Sequence, residues 1–139
     1  MTDTDQDIPA TALLAGLAGG LSALPLIALS VVVVSYAPEL DGVERWSWPV
    51  LLALAVAHLV GAHRSTRRRG YRLQVGAAVA TLVGYPLLVV ASSTGRPEPV
   101  GETVQALALV LAGPLLALLL GSSAGARRWA AGPADEAPG

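Results

Sequence analysis

The sequence predicts an all-α membrane protein with four transmembrane helices in an antiparallel bundle, and three observations support this fold class. Hydrophobic residues make up 53% of the 139 residues and charged residues only 14%, whereas a soluble domain carries about a quarter of its residues charged. Four long runs contain no Asp, Glu, Lys or Arg. Most arginines fall in alternate connections between these runs, which is typical of chains that cross a bilayer several times.

The four charge-free runs are residues 8–38, 46–63, 73–95 and 103–126. A helix needs about 20 apolar residues to cross the ~30 Å hydrocarbon core of a bilayer. Stretches such as LLALAVAHLV are apolar all round and lack the alternating polarity of barrel strands, so helices are favoured. The predicted helices cover residues 11–36, 48–63, 73–93 and 104–122.

The second predicted helix, 48–63, is the shortest of the four and contains His58 and His63. It is retained as a span because the arginine-rich connection would otherwise lie on the wrong side of the membrane. The transmembrane domain then covers residues 11–126 and follows an acidic tail, residues 1–10. Residues 127–139 contain Pro, Gly and acidic residues without an apolar period, so a disordered tail is predicted there.

The nine arginines are divided unevenly between the two sides of a four-pass chain. Seven lie in the connection 64–72 and just after the fourth helix, whereas Arg45 and Arg96 lie on the other side among acidic residues. Arginine excess in short loops marks the cytoplasmic face, so both termini are predicted to be cytoplasmic. Aromatic rings prefer the headgroup level, and five of them flank the predicted boundaries: Tyr36, Trp46, Trp48, Tyr71 and Trp129.

The segment GAHRSTRRRGYR, residues 61–72, contains Arg64, Arg67, Arg68, Arg69 and Arg72. We interpret these residues as a topological anchor whose guanidinium groups lie among anionic lipid headgroups, so a bilayer with such headgroups is the expected partner. A specific anionic partner, such as a phospholipid, a nucleotide or an acidic protein surface, is the alternative. Nucleic acid is not expected, because the net charge is −1 and the loop offers one aromatic ring for stacking.

Small residues recur at a spacing of four in every predicted helix. Such rows allow the close backbone approach that holds helices together in lipid, where the hydrophobic effect provides little attraction between helices. A chain this rich in Ala and Gly also produces such rows by chance. The rows are Ala12-Gly16-Gly20, Ala53-Ala57-Gly61, Gly76-Ala80-Gly84 and Gly113-Ala117-Gly121.

Three prolines, Pro25, Pro86 and Pro114, lie inside predicted helices. Each lacks a backbone N–H and clashes with the carbonyl four residues earlier, so kinks are expected. Broken helices also form ion and substrate sites in transporters. No charged residue lies near any of the three prolines, and simple kinks are therefore preferred.

His58 is the ionisable residue that lies deepest in a predicted span, and such residues often mark proton relays or substrate paths. On antiparallel neighbouring helices Thr81 lies at a similar depth and Tyr85 nearer the outside. We therefore predict an intramembrane polar site of His58, Thr81 and Tyr85 with a His58–Thr81 hydrogen bond. A neutral imidazole satisfied by a hydroxyl is the alternative interpretation. No metal is expected, because His58 and His63 are five residues apart and do not share a helix face.

The residue types also argue against most catalytic chemistry. Cysteine is absent and every acidic residue lies in a predicted loop or tail, so no Ser–His–Asp set can form. We expect no enzymatic activity and no cofactor. The sequence favours an accessory or scaffold subunit of a bacterial plasma (inner) membrane that forms homo-oligomers or packs against larger membrane partners. A small-solute transporter or channel with a path near His58 is the alternative, and a membrane enzyme acting on lipid headgroups is a third hypothesis.

Overall fold

The computed structural model describes residues 8–67, 71–93 and 100–131. Within these residues the chain is helical and contains no strand. Seven helices are present in the described part, two of them short. They are α1 (Ala10–Leu21), α2 (Ala23–Tyr36), α3 (Gly42–Arg45), α4 (Trp48–Thr66), α5 (Arg72–Ser93), α6 (Val100–Gly121) and α7 (Ala124–Ala131).

Three helical segments of the described chain are long and apolar enough to cross a membrane. These are Ala10–Tyr36, which joins α1 and α2, together with α5 and α6, and the mean hydropathies of an apolar 18-residue stretch within each are 2.3, 1.9 and 2.2. The prediction of a helical membrane protein is confirmed at this level. The predicted second span, α4, has 19 residues but is not among the three. Its C-terminal half carries two histidines and Arg64, which lower its apolar character.

The first span is interrupted at Ser22, between α1 and α2. Pro25 follows three residues later and has no N–H to donate to the carbonyl of Leu21, so the helix ladder breaks here. At the same point the Ser22 hydroxyl donates to the carbonyl of Ala18 at 2.7 Å, which also accepts the backbone N–H of Ser22. The helix assignment is thus interrupted one turn before Pro25, whereas α5 and α6 continue through Pro86 and Pro114. The kinks expected at the three prolines stay a prediction.

The long helices contact one another through small residues. The segment α1–α2 packs against α4 and α6, and α5 packs against α4 and α6. Gly16 contacts the side chain of Thr66, and the Ser30 hydroxyl donates to the carbonyl of Trp48 at 3.1 Å. A hydrophobic cluster from α2, α4, α5 and α6 forms part of the interior and consists of Ala23, Leu26, Leu51, Ala55, Tyr85 and Val110.

The predicted rows of small residues do not all face the interior. On α1 and α6, most residues of the two rows are buried. On α5, by contrast, Gly76, Ala80 and Gly84 are exposed. On α4, Gly61 is buried whereas Ala53 is exposed. The prediction was therefore wrong for α5, because buried polar and aromatic residues occupy its inward face. That face consists of Gln74, Ala77, Ala78, Thr81 and Tyr85.

The predicted disordered tail is also partly wrong. Residues 127–131 belong to α7, which packs against α1 through the contact between Gly125 and Thr11. Ala126 is buried, whereas Arg127 and Arg128 are exposed, so this short helix has one apolar and one cationic side. Residues 132–139 lie outside the described residues.

Candidate functional site

His58 and Thr81 form the predicted hydrogen bond between α4 and α5. The Nε2 atom of His58 lies 3.0 Å from Oγ1 of Thr81, and both residues are completely buried. The Thr81 hydroxyl lies 2.9 Å from the carbonyl of Ala77, to which it donates its single proton. We therefore assign the Nε2-protonated tautomer to His58, which donates to Thr81. The Nδ1 atom of His58 is buried and has no hydrogen-bond partner within the described residues.

Tyr85 lies one helical turn beyond Thr81 but does not join this pair. Its ring is 6% exposed and packs in the hydrophobic cluster with Leu26 and Leu51. The structure thus brings together two of the three predicted polar residues and places the third in a different environment. Tyr85 instead lines two clefts, which are described below.

A second buried polar group, centred on Gln74, was not predicted from the sequence. The Gln74 amide donates to the carbonyl of Ala15 on α1 at 2.6 Å and accepts from the hydroxyl of Ser65 on α4. Gln74 therefore connects three helices. Gly61 makes this approach possible, because it packs directly against the Gln74 backbone. A buried amide within a charge-free run was the signal that could have identified it.

The predicted arginine anchor lies at one end of the molecule. Arg64 in the last turn of α4, Arg67 after it and Arg72 at the start of α5 are all exposed, and Arg68 and Arg69 lie outside the described residues. The arginines of α7 lie at the same end, because Tyr71 and Trp129 line one small crevice with Ser65 and Gln74 at its floor.

The opposite end of the molecule carries all four acidic residues that the structure describes. Four carboxylates, on Glu39, Asp41, Glu44 and Glu102, are found there together with Arg45. The Arg45 guanidinium lies 6.0 Å from the centre of the Trp46 ring. The two ends of the described chain therefore differ in charge.

Two clefts lie in the half of the molecule nearer this acidic end. The larger cleft, about 880 Å³, runs between α4 and α5 and is bounded at one end by α3. The smaller cleft, about 390 Å³, lies between α2 and α5. Ser47, Leu51, Tyr85 and Leu88 line both, so the two clefts meet around the Tyr85 ring.

The described residues contain no group of three His, Asp or Glu side chains that could hold a metal ion. No protein-family model matches the chain, and no curated protein or solved structure shows significant similarity to it.

Proposed function

We propose that the chain is a four-span accessory or scaffold subunit of the plasma (inner) membrane, without catalytic activity, that packs against copies of itself or against larger membrane partners. The main support for this proposal is that the buried polar side chains hydrogen-bond within the helix bundle. Gln74, Ser65, His58 and Thr81 bond to one another or to helix carbonyls. Such bonds hold helices together in lipid, where other attraction between helices is weak.

The distribution of apolar side chains supports a location in the bilayer. The interior contains many small residues, whereas large side chains such as Leu17, Leu24, Val31, Leu87 and Leu119 are more than half exposed. Water would penalise this arrangement by about 25 cal/mol for each Å² of exposed apolar surface, but lipid chains would not. The same side chains provide the contact surface for a partner within the membrane.

The contacts between neighbouring helices support four antiparallel crossings. On α4 and α5, Gly61 packs against Gln74 and His58 bonds to Thr81, so positions later in one helix meet positions earlier in the other. The segment α1–α2 meets α4 in the same sense. Because α4 packs against both neighbours along its length, we infer that it crosses with them despite its lower hydropathy, and that the arginine-rich end faces the cytoplasm.

Single-cysteine labelling tests the number of crossings, and the chain contains no natural cysteine to remove. Asp41→Cys and Ser122→Cys replace two exposed residues at opposite ends of the helices. With four spans and cytoplasmic termini, a membrane-impermeant maleimide added to intact cells labels position 41 and leaves position 122 unlabelled until the cells are opened. Labelling of both positions from outside would indicate three spans and refute the topology.

Crosslinking in the native membrane tests the role as a subunit. We expect a defined homo-oligomer or a complex with a larger membrane protein after solubilisation in a mild detergent. A monomer recovered without any partner at native abundance would contradict the proposal.

A solute path near His58 has less support than the role as a subunit. His58 and Thr81 are completely buried and line neither of the two clefts. In liposomes that contain the purified chain, we expect no solute flux that depends on His58. Flux that His58→Ala abolishes would revive the transport hypothesis.

A further inference from the structure

The arginine-rich end of the molecule is built from two distant parts of the chain. The end of α4 and the start of α5 supply three of its described arginines, and α7 supplies two. Helix α7 lies across the end of the bundle, because Gly125 packs against Thr11 of α1. Further along α7, Trp129 lines the same crevice as Tyr71, which directly precedes α5. The described arginines of this end are Arg64, Arg67, Arg72, Arg127 and Arg128.

This end carries an excess of positive charge. All five described arginines are exposed, and none of them forms an ion pair within the described residues. The acidic residues that the structure describes lie at the opposite end. The two tails that adjoin the arginine-rich end hold five acids in the sequence, fewer than its seven arginines, so the excess does not depend on where the tails lie. The tail acids are Asp3, Asp5, Asp7, Asp135 and Glu136.

The arginines border the apolar surface of the helices. Leu59 and Val60, about one helical turn before Arg64, are large apolar side chains that are exposed. The crevice adds two aromatic rings, Tyr71 and Trp129, of the kind that prefers the headgroup level. Guanidinium groups at such a boundary reach phosphates while their methylene groups stay beside acyl chains. A soluble acidic partner would use the charge but would gain nothing from the apolar border.

We propose that α7 and the adjoining ends of α4 and α5 form one composite surface that binds the anionic headgroups of phospholipids. Arginine binds phosphate through charge-assisted and often bidentate hydrogen bonds, and each arginine near a bilayer surface adds to the attraction for anionic lipids. The sequence alone placed an anchor in residues 64–72 and a disordered tail after residue 126, so the participation of α7 follows from the tertiary structure. The proposal rests on the membrane location of the chain and does not depend on its role as a subunit.

Quenching of single tryptophans by brominated lipids tests this surface. Trp46→Phe combined with Trp48→Phe leaves Trp129 as a reporter on α7. Trp48→Phe combined with Trp129→Phe leaves Trp46, an exposed reporter at the acidic end. Each purified full chain is placed in phosphatidylcholine vesicles with a minor fraction of brominated phosphatidylglycerol, and its quenching is divided by the quenching from the same fraction of brominated phosphatidylcholine.

The two reporters should give different quenching ratios. We expect a ratio of about three or more at Trp129 and of about one or less at Trp46, because the anionic lipid is enriched beside the arginines. Equal ratios at the two ends would overturn the proposal. A ratio of about one at Trp129 that rises only after the five tail acids are replaced by their amides would also overturn it, and would assign the arginines to the tails.

Substitutions in each part test whether the surface is composite. Arg127→Gln combined with Arg128→Gln should lower the ratio at the α7 reporter at least about twofold, and Arg72→Gln should lower it as well. Arg45→Gln is the matched control, because it removes an exposed arginine at the acidic end and should leave the ratio unchanged. An unchanged ratio in the α7 double variant, confirmed as folded by circular dichroism, would refute the participation of α7.

Discussion

Gly61→Ala tests a close backbone contact between α4 and α5. A Cβ atom at position 61 would lie 2.8 Å from Cα and 2.9 Å from the backbone N of Gln74. Both obstructing atoms belong to the backbone, so a change of side-chain rotamer cannot relieve the clash. The two helices must separate instead, which also strains the hydrogen bonds of Gln74 to α1 and α4.

The magnitude follows from three terms. Overpacking of a tight contact lowers the free energy of unfolding by about 1–3 kcal/mol. We expect a loss near the upper value here, because the obstructing atoms belong to the backbone. Weakening one interhelical hydrogen bond in a membrane adds about 0.6 kcal/mol. Alanine has a higher helix propensity than glycine, and this offsets up to about 1 kcal/mol of the loss. We expect Gly61→Ala to lower the free energy of unfolding by about 2–3 kcal/mol.

The assay is unfolding by SDS in mixed micelles, followed by tryptophan fluorescence. Gly76→Ala is the matched control, because a Cβ atom there meets no atom of the described residues within 4 Å. The control should be neutral or stabilised by up to about 1 kcal/mol. If the two variants unfold within about 0.5 kcal/mol of each other, the close packing of α4 on α5 is wrong.

Three further substitutions test other contacts by the same unfolding assay. Thr81→Val leaves the buried N–H of His58 without an acceptor and should cost about 1–3 kcal/mol, whereas Thr81→Ser should retain most of the stability. Gly113→Ala brings a methyl group against the Ser22 hydroxyl and should lower the free energy of unfolding by about 1 kcal/mol. The double variant with Ser22→Ala should recover most of this loss. If the losses of the two single variants simply add in the double variant, the contact between Gly113 and Ser22 is contradicted. Gln74→Leu removes two interhelical hydrogen bonds and should cost about 1 kcal/mol, so an unchanged midpoint would show that Gln74 does not connect the helices.

The polar site was partly predictable from the sequence. The depth of a residue in the membrane follows from the number of residues that separate it from the end of its helix. For antiparallel neighbouring helices this number places His58 and Thr81 at a similar depth. The direction in which Tyr85 and Gln74 point depends on the rotation of α5 about its axis. A helix that is apolar on nearly all sides has no strong moment to fix that rotation, so neither position could be predicted.

The sequence by itself determined the four long helical segments and the charge difference between the two ends, because charge-free length and the placement of arginines are local properties of the chain. The tertiary structure decided which face of each helix is buried. On α5 the row of Gly76, Ala80 and Gly84 faces outwards, because the opposite face carries Gln74, which bonds to α1 and α4, and Thr81, which accepts from His58 on α4. It also ordered residues 127–131 as part of α7, whose apolar side gains contact with α1. These choices depend on partners distant in the chain, which no local pattern specifies.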